Sequence, residues 1–123
     1  MTTWTAPVRF AEVDAQDLVF NSHYLLYCDE AITAFLAEHD LRELSREIRL
    51  VASSLVWSGS AHWGDCIGVE VSCSKVGRTS FTMHFAVTAS GRDCCRVETT
   101  YVLTDAAGAP TPVPDAVRIA LSD

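Results

Sequence analysis

The sequence predicts an α+β domain in which one long amphipathic helix packs against one antiparallel sheet. Two patterns in the 123-residue chain support this prediction. Apolar residues recur at helical spacing over residues 22–38, and three later segments alternate apolar and polar residues with the period of two that marks a strand. The apolar stripe of the helix and the apolar face of the sheet must be buried against each other, which gives a single two-layer domain over residues 1–123.

The first predicted element is a strand over residues 4–13, with Trp4, Val8 and Phe10 as its apolar positions. Because Pro7 has no backbone N–H to donate, it predicts an edge position for this strand or a later start. The segment therefore either forms one margin of the sheet or becomes extended only after Pro7.

A loop over residues 14–19 and a helix from about Ser22 to Glu38 come next. Asn21 and Ser22 favour an N-cap, because their side chains can accept hydrogen bonds from the free N–H groups of a first helical turn. One face of the helix carries apolar residues at spacings of three and four, namely Tyr24, Cys28, Ala31 and Phe35, widened by Tyr27, Ile32 and Ala34.

The remaining chain predicts the sheet. A charged connection over residues 39–49 leads to a strand over residues 50–58, and three strands with alternating patterns follow at about residues 67–73, 81–88 and 94–103. Short turns that contain Gly77 and Gly91 join these three strands, which is typical of an antiparallel meander. Residues 105–114 are rich in Ala, Gly and Pro and predict a loop, and residues 115–121 predict a short terminal helix.

Composition excludes several classes of protein. Apolar residues make up 49% of the chain, which is too many for a disordered protein. No apolar run is long enough for a membrane span, and residues 1–4 do not begin a signal-peptide pattern. We therefore expect a cytoplasmic protein that does not interact with membranes.

Charge and cysteine usage narrow the partners further. The formal net charge is −7, and the nine Lys and Arg residues are scattered, so a nucleic-acid partner is not expected. The five cysteines lack the spacing of metal ligands, and we expect no metal and reduced thiols. The neighbours Cys94 and Cys95 are predicted to point to opposite faces of their strand.

Asp14 is the residue that suggests chemistry. It lies just before the predicted helix, where free N–H groups and the positive end of the helix dipole can hold an oxygen atom that becomes negatively charged. A carboxylate beside such a carbonyl group could act on it. The alternative is that Asp14 only caps its loop, which is the more common role of Asp in a turn.

The stretch from Arg9 to Ala31 resembles hotdog-fold acyl-CoA thioesterases of the 4-hydroxybenzoyl-CoA thioesterase-like branch. Those sequences tend to read R-x-x-D/E-x-D, a short loop, and V-x-N-x-x-Y-L-x-Y-x-E. Many relatives carry Gly-His where this chain has Asp17-Leu18, and Asn where it has Phe20. The matching residues here are Arg9, Glu12, Asp14, Val19, Asn21, Tyr24, Leu25, Tyr27 and Asp29.

The resemblance implies a hotdog fold, with an antiparallel sheet wrapped around one long central helix, and a homodimer or a dimer of dimers. It implies that Asp14, from the same or the opposing subunit, attacks a thioester carbonyl or activates water. Amides near Phe20 and Asn21 would hold the oxyanion, and the Asn21 side chain would orient the water or the carbonyl. Phe20 and Tyr24 would line the acyl pocket, and Asp29 would anchor the loop.

In the family, basic residues of the turn before the fourth strand often contact coenzyme A, which implies this role for Arg78 and Lys75. Coenzyme A would be part of the substrate, and no separate cofactor is implied. Three functions stay open: hydrolysis of small or aromatic acyl-CoA, hydrolysis of acyl-carrier-protein thioesters in a fatty-acid or polyketide pathway, and non-catalytic acyl binding.

Overall fold

The computed structural model describes residues 2–122. Over this range the chain forms five strands and two α-helices, with 3₁₀ segments at Phe10–Glu12 and Arg42–Arg46. The strands are β1 (Thr2–Pro7), β2 (Ile48–Trp57), β3 (Cys66–Val76), β4 (Ser80–Ala89) and β5 (Arg92–Leu103), and the helices are α1 (Asn21–Glu38) and α2 (Asp115–Leu121).

The strands form one antiparallel sheet in the order β1-β3-β4-β5-β2. The predicted meander of three consecutive strands is confirmed, because β4 pairs with β3 on one side and with β5 on the other. β1 and β2 lie at the two margins, so the edge position predicted from Pro7 is confirmed as well. The free edge of β2 leaves a row of backbone groups available for pairing.

Helix α1 buries its predicted apolar stripe against the sheet, and the α+β architecture is confirmed. Its buried side chains belong to the same hydrophobic core as the inward-facing residues of β3, β4 and β5. The alternation along β4 is complete, with every second residue from Phe81 to Ala89 buried. Ala34 of the predicted stripe is only half-buried, whereas Leu36, which was not predicted, is buried. The buried side chains of the helix are Tyr24, Tyr27, Cys28, Ala31, Ile32, Phe35 and Leu36. Neither α-helix within residues 2–122 is long and apolar enough to span a membrane.

The prediction of a strand over residues 4–13 is wrong in its second half. β1 ends at Pro7, and Phe10 lies in the 3₁₀ segment with 71% of its surface exposed rather than in the core. The physical cause is Glu12, whose carboxylate accepts the Arg9 N–H at 2.9 Å while the Glu12 N–H donates to the Arg9 carbonyl. These two bonds close a tight turn that ends the extended backbone.

The prediction that Cys94 and Cys95 face opposite sides is also wrong, since both are buried. In the pairing of β4 with β5, Val87 lies opposite Cys95 while Thr88 lies opposite Asp93. Cys94 is therefore the extra residue of a β-bulge, and a bulge breaks the alternation of side chains.

Candidate active site

A groove of about 380 Å³ lies where the loop after β1, the start of α1 and the end of β2 meet. Four residues predicted from the sequence line it: Asp14, Phe20, Asn21 and Tyr24. The structure thus brings together side chains from the loop and the helix in one concave place. The other lining residues are Gln16, Leu18, Val19, Trp57, Gly59 and Ser60.

Asp14 is exposed, and its loop fixes one of its two carboxylate oxygens. Oδ1 accepts hydrogen bonds from the N–H groups of Gln16 at 2.8 Å and Leu18 at 3.2 Å. The Asp14 N–H donates in turn to the Leu18 carbonyl at 2.9 Å. Oδ2 makes no hydrogen bond with residues 2–122, so the loop fixes the carboxylate through Oδ1 and leaves the other oxygen unbonded.

The helix start differs from its prediction in two respects. The N-cap is Phe20, which has extended backbone angles, while Asn21 is the first helical residue and makes no side-chain cap. The Phe20 N–H donates to the Glu12 carbonyl at 3.0 Å, so it is not available to an oxyanion. The N–H groups of Asn21 and Ser22 belong to the first turn, which has no intrahelical acceptor for them, and they are the donors left at this end.

Tyr24 forms the closed inner side of the groove, with only 2% of its surface exposed. Its hydroxyl accepts the Ala61 N–H at 3.1 Å and lies 3.5 Å from Cys94 Sγ. Burial, reinforced by the contact with Cys94, raises the pKa of Tyr24, so the phenol stays neutral. The Trp57 ring packs edge-on to Tyr24 with ring centroids 5.7 Å apart, which makes this side of the groove aromatic.

Glu12 anchors the loop, a role that the resemblance implies for Asp29. The Glu12 carboxylate is 3% exposed and binds the Arg9 guanidinium at 2.7 Å and the Tyr27 hydroxyl at 2.9 Å. The Asp29 carboxylate is exposed and makes no hydrogen bond to the loop within residues 2–122. The reason is position, because Asp29 lies more than two helical turns beyond the start of α1.

Lys75 and Arg78 lie at the other end of the sheet. Across the sheet, Trp57 of β2 pairs with Cys95 of β5, which pairs with Val87 of β4. This set of paired residues forms one row. Next to the Arg78 turn, a second row is formed by Tyr101 of β5 and Phe81 of β4. Six residues of β4 separate the two rows, which is about 20 Å. Within one protomer these basic residues are therefore not brought to the groove. The turn is held in place by α2, since Arg118 donates to the Gly77 carbonyl at 2.9 Å.

Sequence reasoning missed the segment that closes the groove from β2, namely Trp57, Gly59, Ser60 and the buried Ala61. It contains only small and aromatic residues that also fit an ordinary strand end and turn, so no local pattern reveals its position. Among residues 2–122, no cluster of three or more His, Cys, Asp or Glu side chains is arranged to hold a metal ion.

Comparison with solved structures identifies the architecture. A thioesterase from Thermus thermophilus, complexed with coenzyme A and Zn, matches with a TM-score of 0.89 and 25% identity over 97% of this chain and 90% of that one. A 1,4-dihydroxy-2-naphthoyl-CoA thioesterase from Synechocystis matches with a TM-score of 0.86 and 21% identity over 98% and 95% of the two chains. A gentisyl-coenzyme A thioesterase gives 0.85 and 24% over 99% and 100%. A comparison with curated proteins found no significant match.

The antiparallel sheet with its single long helix, shared along nearly the whole chain with these enzymes, is the hotdog fold. The predicted fold is thereby confirmed. The chain belongs to the thioesterase-like superfamily, whose family model matches residues 8–121.

Proposed function

We propose that this protein is an acyl-CoA thioesterase that hydrolyses small or aromatic acyl thioesters. The observation that carries the proposal is the meeting of Asp14 and the amino-terminal residue Asn21 of α1 in one groove. Family membership and the thioesterases among the structural neighbours support the same reaction class.

In the proposed reaction the thioester carbonyl oxygen lies at the amino end of α1. The free N–H groups of Asn21 and Ser22 donate to it as negative charge develops, and the helix dipole adds to this stabilisation. One well-placed donor lowers the barrier by roughly 3 kcal/mol. The Asn21 side chain, which caps nothing, orients the water or the carbonyl from the same position.

Asp14 supplies the second part of the chemistry. Its unbonded Oδ2 either attacks the carbonyl carbon or removes a proton from a water that attacks it. In both routes the C–S bond breaks, coenzyme A leaves as a thiol after it gains a proton, and one water is consumed to form the acid. The loop bonds on Oδ1 keep the carboxylate directed while this happens.

The composition of the groove favours aromatic acyl groups. Phe20 is 55% exposed and Trp57 is 41% exposed, and both line the groove beside Tyr24. Flat aromatic walls stack well against an aromatic acyl group. Two structural neighbours are named for aromatic acyl-CoA substrates, the gentisyl and dihydroxynaphthoyl enzymes.

A homodimer formed through the edge of β2 would bring Arg78 of one protomer close to the groove of the other. β2 exposes the apolar residues Leu50, Val51, Val56 and Trp57, which a second copy would cover. Antiparallel pairing of two β2 strands sets the Trp57 end of one beside the Leu50 end of the other. Arg78 and Lys75 of the partner then lie about three strand spacings from the groove, roughly 14 Å, within reach of an extended coenzyme A.

The test is release of free thiol from a panel of thioesters by the purified protein. The panel contains benzoyl, hydroxybenzoyl, short aliphatic and long aliphatic acyl-CoA, and the same acyl groups on a carrier protein. Hydrolysis of aromatic acyl-CoA is the expected result. Turnover of carrier-protein thioesters alone would redirect the function to a fatty-acid or polyketide pathway, and binding without any turnover would identify an acyl-binding module.

A further inference from the structure

We infer that Asp17 and His62 form a clasp that positions the Asp14 loop for catalysis. This inference rests on the proposed thioesterase function and adds two positioning residues to it. The clasp lies outside the groove, and neither side chain lines the reacting site.

Asp17 is the residue at which the loop is strained. Its φ is 62°, in the left-handed region, which glycine adopts most easily. Its carbonyl oxygen lies 3.0 Å from His62 Nδ1, and its carboxylate accepts a long hydrogen bond of 3.4 Å from the Trp63 N–H. Since a carbonyl can only accept, the proton of this His62 bond is on Nδ1.

Two hydrogen bonds to Asp65 fix the backbone of His62. The His62 N–H donates to Asp65 Oδ2 at 2.9 Å, and the Asp65 N–H donates back to the His62 carbonyl at 3.0 Å. The Asp65 carboxylate also binds Arg92 at 3.0 Å and the Ser90 hydroxyl at 2.9 Å. A continuous set of polar contacts thus runs from the turn between β4 and β5 to the outside of the Asp14 loop.

Polar contacts matter here because the loop has little packing to hold it. All four residues from Asp14 to Asp17 are exposed. Hydrogen bonds inside the loop, such as the Leu18 N–H to Asp14 Oδ1, fix its shape but not its placement against the groove. The clasp fixes the position of the loop against the groove at Asp17, and the bond from the Val19 N–H to the Ala61 carbonyl fixes it at the other end of the loop.

The test compares His62→Ala with His62→Asn. Asn places an amide N–H close to the position of Nδ1 and keeps the bond to the Asp17 carbonyl, whereas Ala removes it. Two readouts are taken: kcat and KM for the best acyl-CoA, and the hydrogen exchange rates of the Asp14 and Leu18 amides. For His62→Ala we expect a kcat lowered about 10- to 100-fold by misplacement of the carboxylate, a KM close to wild type, and faster exchange at both amides. His62→Asn restores both readouts.

Asp17→Gly is the second variant, for use if His62→Ala does not fold. Glycine accepts a φ of 62° without strain, so this variant is expected to fold. It removes only the long carboxylate contact with Trp63 and keeps the carbonyl that accepts from His62, so we expect loop exchange between that of wild type and that of His62→Ala, a kcat lowered less than in His62→Ala, and no loss of thermal stability. Unchanged exchange and unchanged kcat in both His62→Ala and Asp17→Gly would overturn the clasp while leaving the thioesterase intact. Faster exchange with unchanged kcat would overturn its catalytic role. A wild-type protein that hydrolyses no thioester would instead reject the proposed function, and the exchange rates alone would then decide whether the clasp holds the loop.

Discussion

The hydroxyl of Tyr27 donates a 2.9 Å hydrogen bond to the buried carboxylate of Glu12, which ties the turn after β1 to the second turn of α1. The Arg9 N–H donates to the same carboxylate oxygen at 2.9 Å, and the Arg9 guanidinium binds the other oxygen at 2.7 Å. The Glu12 carbonyl accepts the N–H of the helix cap Phe20. One residue therefore holds both ends of the loop that carries Asp14.

Glu12→Gln is expected to destabilise the protein by about 1–3 kcal/mol at neutral pH, since it weakens the bonds made to a charged acceptor. Burial opposes ionisation of Glu12, but the bonds from Arg9 and Tyr27 outweigh it and hold the pKa below its usual value. A lowered pKa contributes stability that is complete above the unfolded value of about 4.3 and is lost as pH falls through the folded value. Urea unfolding at pH 7 and at pH 3 measures this difference.

The difference between wild type and Glu12→Gln should therefore shrink as the pH falls through the unfolded value of about 4.3 toward the lower folded value. Other depressed carboxylates, such as Asp65, titrate equally in both proteins and cancel in the comparison. A difference that stays constant from pH 7 to pH 3 would show that the charge of Glu12 contributes nothing.

Tyr101→Phe is expected to raise stability by about 1 kcal/mol. The Tyr101 hydroxyl is buried without a hydrogen-bond partner among residues 2–122, and an unsatisfied buried polar group costs about 1–3 kcal/mol. Tyr24→Phe is the matched control, because it leaves the buried Ala61 N–H without its acceptor and should destabilise by a similar amount. Thermal unfolding of the two variants gives the signs, and a marked loss of stability in Tyr101→Phe would reveal a partner from water or a second copy.

The elements with strong periodicity could be read from the sequence, and those that depend on distant partners could not. The helix, the meander and the terminal helix over residues 115–121 follow from local patterns, because burial on one face imposes a period. The bulge at Cys94 depends on the pairing of β4 with β5, which no single segment encodes. The sequence likewise shows an acidic residue at position 12, but it does not show that Arg9 and Tyr27 bind the Glu12 carboxylate.

The sequence predicts the part of the candidate site that comes from neighbouring positions in the chain. Asp14, Phe20, Asn21 and Tyr24 are close along the chain, and a loop followed by a helix brings them together. The wall from Trp57 to Ala61 arrives from a strand on the far margin of the sheet. The N-cap differs from its prediction because the Phe20 N–H is bonded to the Glu12 carbonyl and the neighbouring Val19 N–H to the Ala61 carbonyl, and these tertiary bonds outweigh the capping preference of Asn21.

Val56→Lys tests the proposed dimer. Val56 lies on the free edge of β2 with 65% of its surface exposed, and charges on an edge strand oppose pairing with another chain. We expect analytical ultracentrifugation to show a shift from dimer to monomer, together with a raised KM for acyl-CoA, because the partner's Arg78 and Lys75 no longer lie near the groove. Ile119→Lys is the control, because Ile119 is equally exposed, at 69%, but lies on α2. Equal sedimentation of wild type and both variants would place the dimer contact elsewhere or show that there is none.

Arg78→Ala tests the proposed coenzyme A contact. Arg78 is exposed, and its guanidinium forms no ion pair with residues 2–122, so it is free to bind a phosphate. We expect KM for acyl-CoA to rise about tenfold, in line with the loss of one hydrogen bond to a charged group, with little change in kcat. The corresponding acyl-pantetheine, which lacks the nucleotide, should show no change in KM. Arg96→Ala is the control, because Arg96 is also exposed but lies on β5. An equal rise in KM in the two variants would show that Arg78 has no specific role in binding coenzyme A.

The most direct test of the catalytic account is the turnover of Asp14→Asn with the best acyl-CoA substrate. Asn keeps an Oδ1 atom that can accept the Gln16 and Leu18 N–H groups, so the loop and the thermal unfolding midpoint should be preserved. The account predicts a kcat lowered about 10²- to 10⁴-fold, the range that a carboxylate contributes as a general base. A folded Asp14→Asn protein that releases thiol at the wild-type rate would contradict it.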